Sequence, residues 1–267
     1  MIKNLKRISI LLCILLVVFL GLEIGYFGVN RLNVRKLTLE SDMIPTAFTD
    51  TSLLVFSDVY GNEAQLKKVQ NIVASEKPDL IIFLGNLLNE DTEEVNIIMN
   101  TLKSMEAPLG KFAILGAHDY TLDMDVLRSL YETSDFRLIE NELLEIHNYT
   151  DDFIHFAFLD AHIVGDKTYT DVIEGFDPST YTLSFSHSPA VIEALKSNSG
   201  ILFAGQTLLG KVNLPFIGSI YHDDHTQPYE QFDSYALYVT GGVGTDSPAI
   251  RFNANPDIIY ITFKSSQ

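Results

Sequence analysis

The side chains that could do chemistry stand in short polar loops, each directly after an apolar run. Four of them carry a carboxylate or an imidazole: Asp58, His118, Asp119 and His187. Carboxylates and imidazoles bind divalent metal ions, and a histidine beside an aspartate can also act as a general acid. Each preceding run predicts a buried strand. Polar residues at the ends of successive strands converge on one rim of an open α/β sheet, where such folds place an active site.

Two further loops belong to the same series but lack good ligands. They are Gly85-Asn86 and Gly205-Gln206-Thr207-Leu208, and each also follows an apolar run. Asn86 and Gln206 offer neutral carbonyl oxygens, which can add a donor but cannot balance the charge of a dication. The loops therefore indicate a metal site in which ligands have been replaced.

The order and spacing of these loops resemble those of the calcineurin-like metallophosphoesterases, in particular their membrane-anchored bacterial branch. Members carry Asp-x-His, Gly-Asp, Gly-Asn-His-Asp, a lone His and Gly-His-x-His, and bind two metal ions. The resemblance runs from about Ile44 to Phe263 and includes the segment 78–82 and the tail 238–257. It implies an α/β fold, a four-layer α-β-β-α sandwich in which two mixed sheets are flanked by helices.

Carried over position by position, the resemblance leaves few ligands. Asp58 and His187 match two of the family's seven side-chain ligands, and the others are replaced by Tyr60, Asn86, Ala117, Gln206 and Leu208. Alanine and leucine cannot coordinate, and a phenol has a pKa near 10. We expect no tightly bound two-metal centre and no other cofactor. A divalent metal (Mn, Fe or Zn) would bind only at low occupancy, through Asp58, His187, Asn86 and Gln206.

His118 and Asp119 match the pair that, in the family, assists the leaving group while the acid orients the imidazole. Without metals, we expect the two residues to be vestigial and to remain as a hydrogen-bonded structural pair at a strand end.

The first 30 residues differ from the rest in composition. Lys3, Lys6 and Arg7 precede an apolar segment of about 20 residues, which is long enough to cross a bilayer. No small-x-small cleavage site follows, so we favour an uncleaved anchor over a cleavable signal peptide. The basic flank places the N-terminus in the cytoplasm and the body outside, on a single-pass protein of the cell membrane. We assign residues 31–47 to a linker with a lead-in strand near 36–39, and 48–267 to the phosphoesterase-like domain.

Charge and cysteine content limit the partners. The net charge is −17, and three of the basic residues precede the anchor, so the body repels phosphate backbones and nucleic-acid binding is not expected. The lone cysteine, Cys13, lies in the anchor, so the body has no disulfides. The membrane is the one partner that the sequence identifies. The sequence indicates no particular protein partner or small ligand.

The spacing of apolar residues predicts the helices and strands between the loops. We predict helices at 62–75, 92–105, 123–133 and 189–196, a strand meander at 136–139, 142–147 and 153–159, and late strands at 236–240 and 258–264. Residues 221–225 hold two histidines and two acids, which we interpret as a solvated acidic turn. We interpret residues 241–244 as a tight turn between strands, because no helix pattern or lysine follows the glycines.

We predict a membrane-anchored, extracytoplasmic protein with the phosphoesterase fold that is catalytically inactive and acts as a binding or scaffolding module. One alternative is an active phosphohydrolase of phosphomono- or diesters, with a reduced metal site and His118 as acid. Another is a purely structural envelope protein. A rim pocket lined by Tyr60, His118 and Gln206 would favour binding, whereas a rim filled by Leu208 would favour an inert domain.

Overall fold

Two six-stranded mixed sheets pack face to face, with helices on their outer surfaces. The computed structural model describes residues 2–162, 168–196, 198–221 and 224–267. Its strands are β1 (Asn33–Ser41), β2 (Ser52–Phe56), β3 (Leu80–Phe83), β4 (Gly110–Ala113), β5 (Arg137–Leu138), β6 (Glu142–His147), β7 (Phe153–Phe158), β8 (Thr182–Ser186), β9 (Gly200–Ala204), β10 (Asn213–Leu214), β11 (Gly218–Ser219), β12 (Tyr229–Phe232), β13 (Tyr235–Val239) and β14 (Asp257–Ser265).

The helices are α1 (Ile2–Leu22), α2 (Gly28–Asn30), α3 (Glu63–Glu76), α4 (Val95–Lys103), α5 (Met124–Thr133), α6 (Tyr169–Glu174) and α7 (Ile192–Leu195). A π-helical turn, Glu23–Phe27, joins α1 to α2. The start of α3 shows how sequence sets these bounds, because the Asn62 side chain accepts the Gln65 N–H at 3.0 Å and so caps the helix. At its other end Lys77 adopts a left-handed conformation, with φ 51°, and stops the helix.

Parallel pairing brings the loops of the predicted site to one rim. The first sheet has the order β1-β14-β2-β3-β4-β5, and β2 to β5 run parallel. The second has the order β12-β13-β9-β8-β7-β6, in which β7, β8, β9 and β13 run parallel. The carboxyl ends of the parallel strands therefore lie at one edge, and the loops that follow them converge there as expected.

Alternating side chains explain the layers. In β2, Leu53 and Val55 pack into the core between the sheets, whereas Leu54 and Phe56 pack under the helices α3 to α5. A stack of aromatic rings fills the inter-sheet core, with Phe185 facing Phe203 at 5.7 Å between centroids. The other face of the second sheet is covered by α6 and α7. The expected four-layer sandwich is confirmed.

Several local predictions need correction. The expected meander is split, because residues 137–138 pair with β4 in the first sheet while β6 and β7 belong to the second. The lead-in strand is longer than expected, since β1 pairs with β14 over nine residues. The helix expected at 92–105 is shorter, at Val95–Lys103. Residues 189–196 form a 3₁₀ turn, Pro189–Val191, followed by the short α7.

The N-terminal helix continues directly into the domain. One helix in the described part of the chain, Asn4–Asn30, is long and apolar enough to cross a membrane by its length and composition. Its carboxyl end is held by the domain, because the Gln65 amide donates to the Val29 carbonyl at 2.7 Å and the Arg251 N–H donates to the Ile24 carbonyl at 2.9 Å. The helix could therefore anchor the domain in a membrane, with a short connection between them.

Candidate functional site

The rim brings together the two predicted ligands and their neighbours in a buried polar cluster. Asp58 follows β2, Asn86 follows β3 and His187 follows β8, and these side chains are at most 2% exposed. His187 Nε2 lies 4.0 Å from Asp58 Oδ1. The sequence-based grouping of these residues at one point is therefore correct.

The Asn86 side-chain nitrogen, Nδ2, stands at the centre of this cluster. It lies 2.9 Å from Asp58 Oδ1, 2.8 Å from the Tyr60 hydroxyl and 2.9 Å from His187 Nε2. The backbone N–H of His118 fixes this orientation, because it can only donate, and it contacts Asn86 Oδ1 at 3.0 Å. The two amide protons are thus shared among three acceptors that belong to the predicted ligand positions.

The tautomer of His187 follows from its other nitrogen. Nδ1 lies 2.7 Å from the Leu84 carbonyl oxygen, which can only accept, so Nδ1 carries the proton. In the neutral ring Nε2 then has a free electron pair, which is the tautomer that a metal-binding histidine uses. Here that electron pair faces the Asn86 amide.

Asp58 has a hydrogen-bond donor at both carboxylate oxygens. Its Oδ2 accepts from the Ser57 hydroxyl at 2.6 Å and from the Gln206 backbone N–H at 3.2 Å, while Oδ1 faces Asn86. Gln206 therefore contributes its main chain to the cluster. These donors and the buried guanidinium of Arg251 compensate the carboxylate without a metal, because a buried charge needs hydrogen bonds and an opposite charge.

The loops hold an unusual backbone conformation at these positions. Left-handed φ angles occur at five non-glycine residues of the predicted ligand set: Asp58 (55°), Tyr60 (48°), Asn86 (60°), Gln206 (69°) and Leu208 (52°). Each costs on the order of 1 kcal/mol outside glycine. This clustered strain marks the rim as a specialised site in which the backbone keeps a demanding shape even where the side chain cannot ligate.

Leu208 closes the space beside Asp58. It is 1% exposed, and a Cβ placed on Gly242 would stand 2.9 Å from Leu208 Cδ2 and 2.8 Å from Asp58 Cβ. Glycine is therefore required at 242 because leucine and aspartate converge on its α-carbon. The rim has the filled arrangement expected of a domain without a ligand pocket at this point.

The donor set does not fit two divalent metals. It offers one carboxylate and one imidazole, together with a phenol and an amide, and Ala117 and Leu208 supply nothing. Burial and the nearby Asp58 raise the pKa of Tyr60, so this phenol stays neutral. Within the described residues, no group of three or more His, Cys, Asp or Glu side chains is placed to hold a metal.

The expectation that His118 and Asp119 form a hydrogen-bonded pair is wrong. Asp119 accepts three backbone N–H groups instead, from Asn86 at 2.7 Å, Gly116 at 2.8 Å and Leu87 at 3.0 Å. Burial raises the pKa of Asp119, and these donors oppose part of that shift. The aspartate is therefore a structural residue that ties the β3 loop to the β4 loop, because the loops present more donors than the imidazole does.

The His118 ring is partly exposed, but its Nε2 is buried and has no hydrogen-bond partner among the described residues. Its side chain is 25% exposed, with Nε2 3.4 Å from a carboxylate oxygen of the exposed Glu90, and its ring lies 5.6 Å from the Tyr60 ring. His118 and Tyr60 therefore form the accessible part of the rim, above the buried cluster.

Arg251 is a site residue that sequence reasoning missed. It is fully buried, and its guanidinium donates to the carbonyl oxygens of Leu208 at 3.0 Å, Ala254 at 3.3 Å and Gly244 at 2.5 Å. Burial lowers its pKa to about 10, so it remains charged at neutral pH and Asp58 supports that charge. It belongs to the tail segment that carried the family resemblance, but a single sequence does not show that its partners are carbonyl oxygens.

The remaining sequence candidates have other roles. Residues 241–244 are not a tight turn between strands, since the N–H groups of Val243 and Gly244 donate to Ser57 and Asp58 carbonyls and back the site. In the acidic segment 221–225, His222 and Asp223 lie outside the described residues. His225 pairs with Glu230, with 3.0 Å between Nδ1 and Oε2.

Comparison with known proteins gives consistent matches along the chain. The family model described as calcineurin-like phosphoesterase matches residues 51–259. The metallophosphoesterase YkuE of Bacillus subtilis is 27% identical over 253 residues, which cover 90% of this chain and 88% of YkuE. A metallophosphoesterase of Aquifex aeolicus is 25% identical over 246 residues, covering 87% of this chain and 92% of its own. UDP-2,3-diacylglucosamine pyrophosphatase LpxG of Chlamydia muridarum is 27% identical over 241 residues, which cover 85% of this chain and 65% of LpxG.

Proposed function

This chain belongs to the calcineurin-like phosphoesterase family, and we propose that it is a catalytically inactive member that acts as a membrane-anchored binding or scaffolding module. In this proposal the rim residues stabilise the domain, and partners contact the surface around them. The N-terminal helix crosses the cell membrane once, with its basic end in the cytoplasm and the domain outside.

The observation that carries the proposal is the place of the Asn86 amide. Its nitrogen stands within 2.9 Å of Asp58, Tyr60 and His187, so its two protons compete with a metal for the electron pairs of these three groups. Family chemistry depends on metal ions that generate hydroxide and stabilise charge. Fold alone does not carry activity across the loss of such ligands.

The rim filled by Leu208 argues against a ligand pocket and favours an inert rim, so the binding that we propose is to the surface around it. Asp58, Asn86, His187 and Leu208 are at most 2% exposed, so no ligand reaches them without opening the loops. His118, Tyr60 and the exposed Glu90 remain accessible above them. A partner would therefore meet an outer surface, and the filled cluster beneath it would keep that surface rigid.

The test is metal content beside activity, on the full chain purified in detergent. We expect less than one equivalent of Mn, Fe or Zn by mass spectrometry, and no hydrolysis of a generic phosphomonoester or phosphodiester with added Mn²⁺. Two bound metals together with turnover that His118→Ala abolishes would overturn the proposal. Tyr149→Ala, a change at an exposed turn residue, serves as the matched control.

The second candidate is an active phosphohydrolase with a reduced site. It is favoured by the convergence of Asp58, His187 and Asn86 within hydrogen-bond distance and by the relative LpxG, a UDP-2,3-diacylglucosamine pyrophosphatase. The same experiment separates the candidates, because activity lost on both Asp58→Ala and His187→Ala, but kept in Tyr149→Ala, would support the enzyme.

A further inference from the structure

An apolar hairpin projects from the domain beside the end of the N-terminal helix. Strands β10 and β11 form it, with Asn213 paired to Ser219 and Leu214 to Gly218. Its tip and its exit strand expose large apolar side chains: Phe216 is 109% exposed, Ile217 74%, Ile220 56% and Tyr221 42%. Soluble surfaces rarely gather exposed apolar groups of this size, and such patches mark sites of interaction with proteins or membranes.

The composition of the hairpin is unlike that of the rest of the chain. The ten residues 212–221 carry no charge, whereas 20% of the chain is charged and the net charge is −17. The nearest cation, Lys211, is 1% exposed and pairs with Asp246 at 2.7 Å beneath the hairpin. The exposed side chains of Phe216, Ile217 and Ile220 therefore have no charged residue among them, which suits contact with hydrocarbon.

The hairpin is held in a fixed place. Its base pairs with the segment 252–253, through the Asn213 N–H to the Phe252 carbonyl at 2.8 Å and the Asn253 side-chain amide to the Asn213 carbonyl at 3.0 Å. The Ser219 hydroxyl adds a bond to the Gly210 carbonyl at 2.8 Å. A held hairpin presents its apolar side chains at a defined level of the domain.

The same tail segment holds the N-terminal helix, which sets that level. Arg251, one residue before Phe252, donates its N–H to the Ile24 carbonyl at 2.9 Å, and Ile24 lies inside the apolar helix Asn4–Asn30. Tyr26 and Phe27 follow, 59% and 45% exposed, and tyrosine is enriched at the membrane interface. Val212 pairs with Phe252 in an isolated parallel bridge, and Phe216 follows four residues later, a reach of about 14 Å at most.

We propose that Phe216, Ile217 and Ile220 of the hairpin insert into the bilayer that holds the N-terminal helix, giving the domain a second membrane contact. The contact requires no basic residues, so it does not depend on anionic lipid. It fixes the orientation of the domain, because two separated attachments prevent it from rotating about the helix. The rim loop 205–208, which leads into the hairpin, is thereby held close to the lipid surface.

The test uses the full chain in phosphatidylcholine vesicles with an environment-sensitive fluorophore at one cysteine. Cys13→Ser removes the native thiol, Ile217→Cys places the probe on the hairpin, and Tyr149→Cys places it on an 81% exposed turn as the matched control. We expect blue-shifted emission at 217 that lipids with a nitroxide near the headgroup quench, and water-like, unquenched emission at 149. A second probe site, Phe216→Cys, guards against a local effect of the first substitution.

Water-like emission at both hairpin sites would overturn the proposal. A blue shift that nitroxide lipids do not quench would overturn it as well, because protein, such as a second copy of this chain, would then cover the hairpin. The proposal depends on the helix being embedded and not on the proposed inactivity, so metal content and hydrolysis do not affect its outcome.

Discussion

The side-chain nitrogen of Asn86 lies 2.9 Å from Nε2 of His187, in a buried cluster that also includes Asp58. The contact joins the β3 loop to the β8 loop, and so one sheet to the other. The acceptors of this amide are buried. Loss of the amide would therefore leave a buried carboxylate and a buried imidazole without one of their hydrogen-bond donors.

Asn86→Ala should therefore lower the free energy of unfolding by about 3 kcal/mol. Denaturant unfolding of the full chain in detergent measures the change. The chain has no tryptophan, so the unfolding is followed by circular dichroism. Gln206→Ala is the matched control, because Gln206 contacts Asp58 through its backbone N–H, and that bond survives the substitution. Equal losses in both variants would show that the amide has no special part in the cluster.

Asn86→Asp should convert the site into one that requires a cation. The new carboxylate would face Asp58 Oδ1 across the present 2.9 Å contact, and like charges at that distance repel. We expect the variant to be destabilised in EDTA and to regain about 2.7 kcal/mol at Mn²⁺ concentrations a hundredfold above its dissociation constant. Thermal unfolding with and without Mn²⁺ checks this. The unsubstituted chain should show no such shift, and a shift of equal size in both would contradict the inference that the present donor set lacks metal affinity.

Arg251→Met should destabilise the chain by about 3 kcal/mol, because three buried carbonyls, of Leu208, Gly244 and Ala254, lose their donor. Arg128→Met is the control. Arg128 is 54% exposed and pairs with Glu140 at the surface, where ion pairs contribute below about 1 kcal/mol. If the two substitutions lowered the free energy of unfolding by similar amounts, the bonds from the buried guanidinium to these carbonyls would not be important for stability.

His118→Ala and Asp119→Ala should act independently. Asp119 binds backbone N–H groups of both loops, whereas the His118 ring turns toward Glu90, so a double-mutant cycle should give a coupling energy within about 0.5 kcal/mol. Asp119→Ala should account for nearly all of the loss in free energy of unfolding that the double variant shows. A coupling well above that value would restore the interpretation that the acid orients the imidazole.

The sequence predicted the layers of the fold and the position of the rim because both depend on local patterns. Apolar runs such as 53–56 and 201–204, each followed by a polar loop, define buried parallel strands, and β2 and β9 are found there. The split of the expected meander between the two sheets and the short α7 depended on tertiary packing, which a single sequence does not encode clearly.

The structure brings three of the predicted site residues together, but the contacts that they make could not be predicted from the sequence. Asp58, Asn86 and His187 meet as expected, yet the orientation of the Asn86 amide depends on the His118 N–H, a partner 32 residues away. Asp119 was assigned to its sequence neighbour, although three backbone donors from the adjacent loops surround it. Arg251 could not be placed from sequence, because carbonyl oxygens carry no residue signature.

The pairing of β1 with β14 also gives the domain a mechanical property. The two strands run parallel in register from Asn33 opposite Asp257 to Ser41 opposite Ser265, and only two residues separate α2 from β1. A pull on the N-terminal helix is therefore applied along the strand, and the bonds of the nine-residue ladder must yield together in shear rather than open one after another. A domain pulled by its N-terminal helix therefore resists unfolding at its first strand, before force reaches the core.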